Sequence, residues 1–341
     1  MNTIEHLKDA EQFFAICRQL EGKQIGILGH LRPDGDCLGA QMAMHEILTH
    51  CGATSFIGLS DDVIALNLQW IAKECVFTKP EAMTVDEYIF VDCGVKSRAG
   101  DFAKKLSTPL MSIDHHISGE KFARNNFFYP EWAATCEIIT DYLYQERWRI
   151  SSRTATALYA GIATDTGRFS YSATTARTLF LASQLALQGA NPHQIFVEIY
   201  QNESREKFTL MQRFLSSLKF YNEDTICIGR ITEQDYIDTH TASEDTEGFV
   251  NYPRAIKGVR IAGIVYDREE DKTRICLRSD EPALRLDLLA AKFFGGGHTC
   301  AAAFTVSDTY EKFEKTLINE LEIHIKAFSK EHNSASTDNI L

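Results

Sequence analysis

Three short apolar runs, Ile25–Leu28, Tyr88–Val91 and Leu110–Ile113, each lead directly into histidine or acidic residues. Short, continuous apolar runs of this kind read as buried strands of a parallel sheet. A helically spaced stretch from Cys37 to His50 follows the first run, and a helix rich in small residues starts near Ser152. Strands alternating with helices imply an α/β fold, a mostly parallel sheet with helices on both faces. The carboxyl ends of such strands share one edge of the sheet, so residues far apart in sequence meet there.

The residues brought to that edge are of one chemical kind. His30, Asp34 and Asp36 lie in Gly29-His-Leu-Arg-Pro-Asp-Gly-Asp-Cys-Leu-Gly-Ala40. Asp92 follows the second strand, Asp114-His115-His116 the third, and Asp165 closes the small-residue helix in Gly161-Ile-Ala-Thr-Asp-Thr-Gly167. Imidazole mixed with carboxylate suits divalent ions that accept nitrogen and oxygen, manganese or magnesium before thiolate-bound zinc. There are enough donors for two ions sharing one ligand. Two ions ~3.5–4 Å apart activate water and clamp the oxygens of a phosphoryl group. Taken singly, Asp-Gly-Asp is common in turns and an Asp after a strand is often a helix cap. The joint occurrence of all four clusters in this order favours a site. Cys37 and Cys93 read as core thiols before soft ligands. The other histidines, His45, His50, His193, His240 and His324 among them, read as surface or capping residues.

Length and charge narrow the function. At 341 residues two domains are expected. The chain divides into a catalytic domain over 1–195, a helical linker over 196–222, a smaller α/β domain over 223–330 and a disordered tail over 331–341. Residues 1–21 read as an amphipathic helix carrying Ile4, Leu7, Phe13, Phe14, Cys17 and Leu20. Thr175–Gly189 is helical, and Asn191-Pro192 opens another helix. Thr225–Thr232, Val259–Tyr266 and Arg274–Arg278 alternate like half-buried strands, and Ala283–Phe294 reads as a helix. The glycine run Gly295-Gly296-Gly297-His298 at that helix end allows close approach of backbone amides to an anion. His298, Arg278 with Ser279, and more weakly Arg254, are candidates to hold phosphate. A net charge of −12 argues against a long duplex partner but not against a short anionic substrate. The nine cysteines lack any framework spacing, which implies reduced thiols in a cytoplasmic setting. No apolar leader and no run of 18 apolar residues occurs, so neither a signal peptide nor a membrane span is expected.

These motifs resemble the DHH phosphoesterase family with its DHH-associated C-terminal domain. Gly29–Asp36, Val91–Gly94, Asp114–His116 and Ala163–Gly167 match its four motifs. Ile256–Val259, Leu277–Ser279 and Gly295–His298 match its substrate domain. The combination is most similar to the nano-RNase A subgroup. That resemblance implies a phosphoesterase that hydrolyses RNA of about 2–5 nucleotides, the length that a cleft between two domains admits. It also implies release of phosphate from 3′-phosphoadenosine 5′-phosphate (pAp), with the active site between the domains and a homodimer as an open option. By resemblance His30, Asp34 and Asp92 hold one ion; Asp36, Asp92, His115 and Asp165 hold the other, with Asp92 bridging. Manganese is expected, with magnesium or cobalt as substitutes. His116 would contact the scissile phosphate, and Asp114 would orient the histidine pair. Arg278, Ser279, Gly295, Gly296, Gly297, His298 and Arg254 would hold the rest of the substrate. Where the subgroup often has glycine after its alanines, this chain has Ala303 followed by Phe304. Two alternatives are a phosphodiesterase for pApA or cyclic di-AMP and a nucleotide sensor without catalysis. The sensor reading expects a missing ligand, and none is missing.

Overall fold

The computed structural model describes residues 3–60, 64–73, 75–117, 119–268 and 272–335. The chain forms two compact units, Met1–Asn202 and Glu203–Leu341. Among the described residues no helix is long and apolar enough to cross a membrane.

The first unit is built on a parallel sheet. Its strands are β1 (Gln24–Leu28), β2 (Thr54–Gly58), β3 (Phe77–Thr78), β4 (Glu87–Val91), β5 (Met111–Asp114) and β6 (Asn125–Phe128). They lie in the order β3-β2-β1-β4-β5-β6, every neighbour parallel. The helices are α1 (Thr3–Arg18), α2 (Gly35–His50), α3 (Gln69–Ala72), α4 (Asp101–Lys105), α5 (Thr135–Gln145), α6 (Ser152–Asp165), α7 (Ala176–Leu187) and α8 (Pro192–Tyr200). Side chains alternate across the strands. Ile25, Ile27, Ile89, Val91, Met111 and Ile113 join the large core with Phe13, Phe14 and Cys17 of α1 and the small residues of α6. Leu28 and Phe90 face the other way, into a small cluster with Ala103 of α4. Helical cover is thus present on both faces, but heavily unequal. Phe13, Phe14, Cys17 and Leu20 are buried as the helical spacing requires; the side chains of Ile4 and Leu7 lie outside the described part.

Chain order makes the sheet useful. The path runs outward from β1 to β2 and β3, then returns to β4 on the other side of β1. Adjacent strands whose connections leave in opposite directions open a crevice at their carboxyl ends. The loops entering that crevice carry His30 and Asp34 after β1 and Asp92 after β4.

The second unit also has a six-stranded sheet, but a mixed one. Its strands are β7 (Lys219–Tyr221), β8 (Ile226–Ile231), β9 (Ile261–Arg268), β10 (Lys272–Arg278), β11 (Gly296–His298) and β12 (Ala301–Val306), in the order β11-β12-β10-β9-β8-β7. Only the β8–β9 pairing is parallel. Leu210 and Phe214 of α9 (Arg205–Ser216) pack on one face with residues beside α10 (Glu233–Thr239) and α11 (Asn251–Arg254). Leu286 and Leu289 of α12 (Leu286–Ala291) and Leu317 and Leu321 of α13 (Tyr310–Ala335) pack on the other.

Several expected boundaries move. The stretch 196–222 is not a free-standing linker: Ile199 of α8 joins the first core, α9 packs on the second sheet, and β7 is its edge strand. The helix expected over Ala283–Phe294 is shorter, because Arg285 sits in the left-handed region (φ 48°) and breaks it from the turn at Pro282–Leu284. Gly296–His298 is an edge strand rather than a helix-terminal loop. The last helix continues to Ala335, so 331–335 is helical, while 336–341 of the expected tail lies outside the described residues.

Candidate metal centre

Each site residue is set in place by a local backbone requirement. Asp34 is the N-cap of α2, its Oδ1 accepting from the Cys37 amide at 3.0 Å. The cap and ligand readings of this residue are compatible, because Oδ2 remains free to face the His30 ring at 3.6 Å. Asp36 enters the first turn of α2 and is fully buried. Its two oxygens accept from the amides of Thr135 and Cys136, at 2.7 Å each, at the start of α5. The positive end of α5 is therefore directed at a carboxylate. Asp165 is the last residue of α6. It comes close to Asp36 because α2 and α6 cross at very short range. A Cβ on Gly39 would lie 2.5 Å from the Ala157 carbonyl oxygen, and one on Gly161 would lie 3.0 Å from the Asp36 Cα.

Asp92 occupies the left-handed region, φ 52°, immediately after β4. Asp tolerates that conformation better than most residues, yet it is uncommon outside glycine and concentrates at functional sites. The turn places the two carboxylate oxygens toward different partners. Oδ2 faces His30 Nε2 at 3.3 Å, and Oδ1 faces His115 Nε2 at 3.6 Å. The His115 nitrogen also lies 3.2 Å from Asp165 and 3.7 Å from Asp36. The side chains thus form overlapping groups, in each of which the donor atoms lie within 4.8 Å of one another: His30, Cys37 and Asp92; Asp92, His115 and His116; Asp36, His115 and Asp165.

The histidines are oriented from behind. His30 Nδ1 donates to the Leu31 carbonyl at 2.8 Å, and His115 Nδ1 donates to the Trp132 carbonyl at 3.3 Å. Both rings then turn Nε2 toward the carboxylates. His116 differs, with Nδ1 donating to Asp114 Oδ1 at 2.8 Å and Nε2 accepting from the Arg98 guanidinium at 2.9 Å. A guanidinium only donates, so His116 is held as the neutral tautomer protonated at Nδ1.

The electrostatics describe a site built around positive charge. Burial opposes a charge on His30, but Asp34 and Asp92 outweigh it and push the ring up to about 10. Burial likewise opposes a charge on His115, and Asp165, Asp36 and Asp92 carry it up to about 10. Burial raises Asp36 well above the usual carboxylate range, and Asp92 and Asp165 add to the effect. Burial, with Asp34 and Asp92, raises Asp165 to about 6 despite its contact with His115. Only Asp92 is lowered, to about 2, because His30 and His115 overcome its burial. Like charges crowded in a buried space are costly unless cations neutralise them. The His30 Nε2 atom is itself buried without a hydrogen-bond partner. A buried ring nitrogen aimed at carboxylates, within a mixed nitrogen and oxygen set, fits a divalent ion that would displace its proton. Cys37 borders the first group, but burial raises its thiol well above the ordinary value; burial also pushes Cys93 up to about 12. Neither is a thiolate at neutral pH.

Other expected residues are in the second unit. Arg278 ends β10, half-buried, with Nη1 on the Leu277 carbonyl at 3.0 Å. Ser279 is buried, and its hydroxyl accepts from the Glu281 amide at 3.0 Å. Arg254 ends α11 and faces Asp280 at 3.6 Å. His298 is exposed on β11. Gly295 and Gly297 let this edge strand approach β12, since a Cβ on either would lie 2.4 Å or less from a β12 carbonyl oxygen. Gly296 faces open space opposite Ala303. Among the histidines read as bland, His240 caps α10 in the left-handed conformation. His324 is buried instead, with its Nε2 against the Leu284 carbonyl.

Sequence reasoning missed Arg98, Thr135, Trp132 and Leu31. Three of them act wholly or partly through backbone groups, which have no residue signature. Arg98, in a short helical turn after the Asp92 motif, stands out only once His116 is seen beside it.

A bifunctional oligoribonuclease and PAP phosphatase NrnA from Mycoplasma pneumoniae is 36% identical over 211 residues, 58% of this chain and 63% of that protein. The match thus spans just under two thirds of that relative. The protein of the same name from Thermus thermophilus is 24% identical over 89% of this chain and 90% of its own length. The crystal structure of an exopolyphosphatase-related protein from Bacteroides fragilis superposes with a TM-score of 0.85 at 24% identity, covering 96% of this chain and all of that one. Residues 24–162 match the DHH family, N-terminal domain, a range holding His30, Asp34, Asp36, Asp92, Asp114, His115 and His116.

Proposed function

We propose that the chain is a two-metal phosphoesterase that cuts very short RNA to mononucleotides and releases phosphate from pAp. The observation that carries the reading is Asp92, whose two oxygens each face a different histidine-containing group. His30, Asp34 and Asp92 would hold one ion, and Asp36, Asp92, His115 and Asp165 the other. The four carboxylates of this set balance two divalent charges. Manganese suits its mixture of nitrogen and oxygen donors, with magnesium or cobalt as substitutes. Such ions supply an activated water at neutral pH and neutralise charge on phosphoryl oxygens. The names of the Mycoplasma and Thermus relatives support the choice of substrates.

The protein's own groups do the remaining work. His30 and His115 are locked by backbone carbonyls, so both present Nε2 without a search over ring orientations. His116 is neutral and stands between Asp114 and Arg98. An incoming phosphate oxygen would compete with His116 for the exposed Arg98 guanidinium, a strong and geometrically matched partner. Asp114 then steadies the His116 ring as that contact changes. In the second unit, Arg278, Ser279, Arg254 and the Gly295–His298 edge strand would bind the rest of the substrate.

A length series tests this reading. With manganese, 5′-labelled RNAs of 2, 3 and 5 nucleotides should yield mononucleotides, and a 24-mer should be cut at least about tenfold more slowly, the scale of 1.4 kcal/mol. Equal rates on all lengths would refute the short-substrate reading. Hydrolysis of pApA or cyclic di-AMP alone would replace it by the dinucleotide alternative.

A further inference from the structure

We infer that Glu137 is a positioning residue for the metal centre, acting through the Trp132–Cys136 segment; the inference rests on the reading of that centre as a cation site. The segment serves three of the proposed ligands. The Trp132 carbonyl accepts from His115 Nδ1, the Thr135 and Cys136 amides hold both oxygens of Asp36, and the Thr135 hydroxyl donates to Asp92 Oδ1 at 3.2 Å. None of these contacts fixes the segment itself.

Glu137 does. It is completely buried on the first turn of α5. Its Oε2 accepts from the Ala133 amide at 2.8 Å, closing the segment back on the helix. Its Oε1 accepts from the Thr178 hydroxyl at 2.9 Å and Arg177 Nε at 3.1 Å, both on α7. The Arg177 guanidinium also lies over the Trp132 ring, 3.5 Å from its centroid. Arg177 thus grips the segment twice, through Glu137 and through Trp132. A fully buried carboxylate is expensive and is kept only when its partners compensate it. Here every contact braces the segment whose opposite side holds Asp36, Asp92 and His115. Groups that orient ligands in this way typically change metal affinity about 10–100-fold when removed.

The test uses the full chain and manganese alone as the probe, with no substrate. Free Mn²⁺ is followed by electron paramagnetic resonance during titration, and the His115 ring nitrogens are followed by ¹⁵N NMR in the metal-free protein. Glu137→Ala and Arg177→Ala should each weaken Mn²⁺ binding about 10–100-fold. Both should move the His115 Nδ1 signal as its hydrogen bond to Trp132 loosens. Glu137→Gln keeps the shape but can accept on one side only, and should fall between. Arg177 is partly exposed, so its variant tests the clamp even where Glu137→Ala does not fold. Folded variants with wild-type Mn²⁺ affinity and an unmoved His115 signal would overturn the inference. Failure of the wild-type chain to bind Mn²⁺ would instead overturn the cation reading, and the His115 signal would still decide whether Glu137 positions that ring.

Discussion

Asp92→Asn is expected to lower hydrolysis of pAp and of RNA dimers to background, a loss of about a thousandfold or more, while the chain stays folded. Deleting one charge-stabilising group at a reacting centre already costs about 10²–10³-fold. Asp92 should cost more, because both histidine groups converge on it. Asn is the instructive replacement. It keeps the shape of the side chain and tolerates the left-handed backbone at φ 52°, whereas Ala would add strain of about 1–2 kcal/mol. Circular dichroism and a melting curve report folding, and phosphate release reports activity. Retained activity in a folded Asp92→Asn protein would remove Asp92 from the centre.

Chelation should have the second-largest effect. EDTA is expected to abolish hydrolysis and lower the melting temperature, and manganese should restore both. A ligand at 100 times its Kd stabilises by about 2.7 kcal/mol per site, so the shift is readily measured. Its pH dependence has a defined sign. His30 and His115 are raised to about 10, Asp165 to about 6, and Asp36 well above the usual range. A group whose pKa is raised by folding contributes stability that is complete below its unfolded value and lost as pH rises through the folded one. The metal-free protein should therefore weaken as pH rises from about 4 through 6 for Asp165, upward from about 4 for Asp36, and from about 6.5 through 10 for the histidines. Asp92, lowered to about 2, opposes this only between about pH 2 and 4. Manganese must displace the histidine protons, so its affinity should increase over the same upper range, with proton release. The melting-temperature gain from manganese should thus grow between pH 6.5 and 9. A gain that shrinks over that interval would contradict the assignment of His30 and His115 as ligands.

The first domain was legible in the sequence because burial and chemistry are written there in adjacent residues. Ile25–Leu28, Tyr88–Val91 and Leu110–Ile113 could be recognised as strands by continuous apolar character, and the residues after them by type. β2, β3 and β6 were less visible: Asn125–Phe128 lies at the sheet edge, where two asparagines are tolerated. The start of α5 was hidden for another reason. Its role is to offer the amides of Thr135 and Cys136 to Asp36, and any residue but proline has an amide. Glu137 and Arg177 were invisible because they meet only after α7 folds back on α5. In the second unit the glycine run was noticed but given the wrong local structure. Its glycines permit close pairing of an edge strand with Ala301–Ala303 rather than ending a helix. The expected linker had helical spacing in Arg205–Ser216, but spacing does not say which core Leu210 and Phe214 will join.

The most direct measurement is phosphate release from pAp by the purified full chain as manganese is added to metal-free protein, with bound manganese counted in the same samples. The expected result is no release without metal, and release that climbs steeply only as the second equivalent binds. Phosphate release at full rate with no manganese bound, or no release with two equivalents bound, would contradict a two-metal phosphoesterase centred on Asp92.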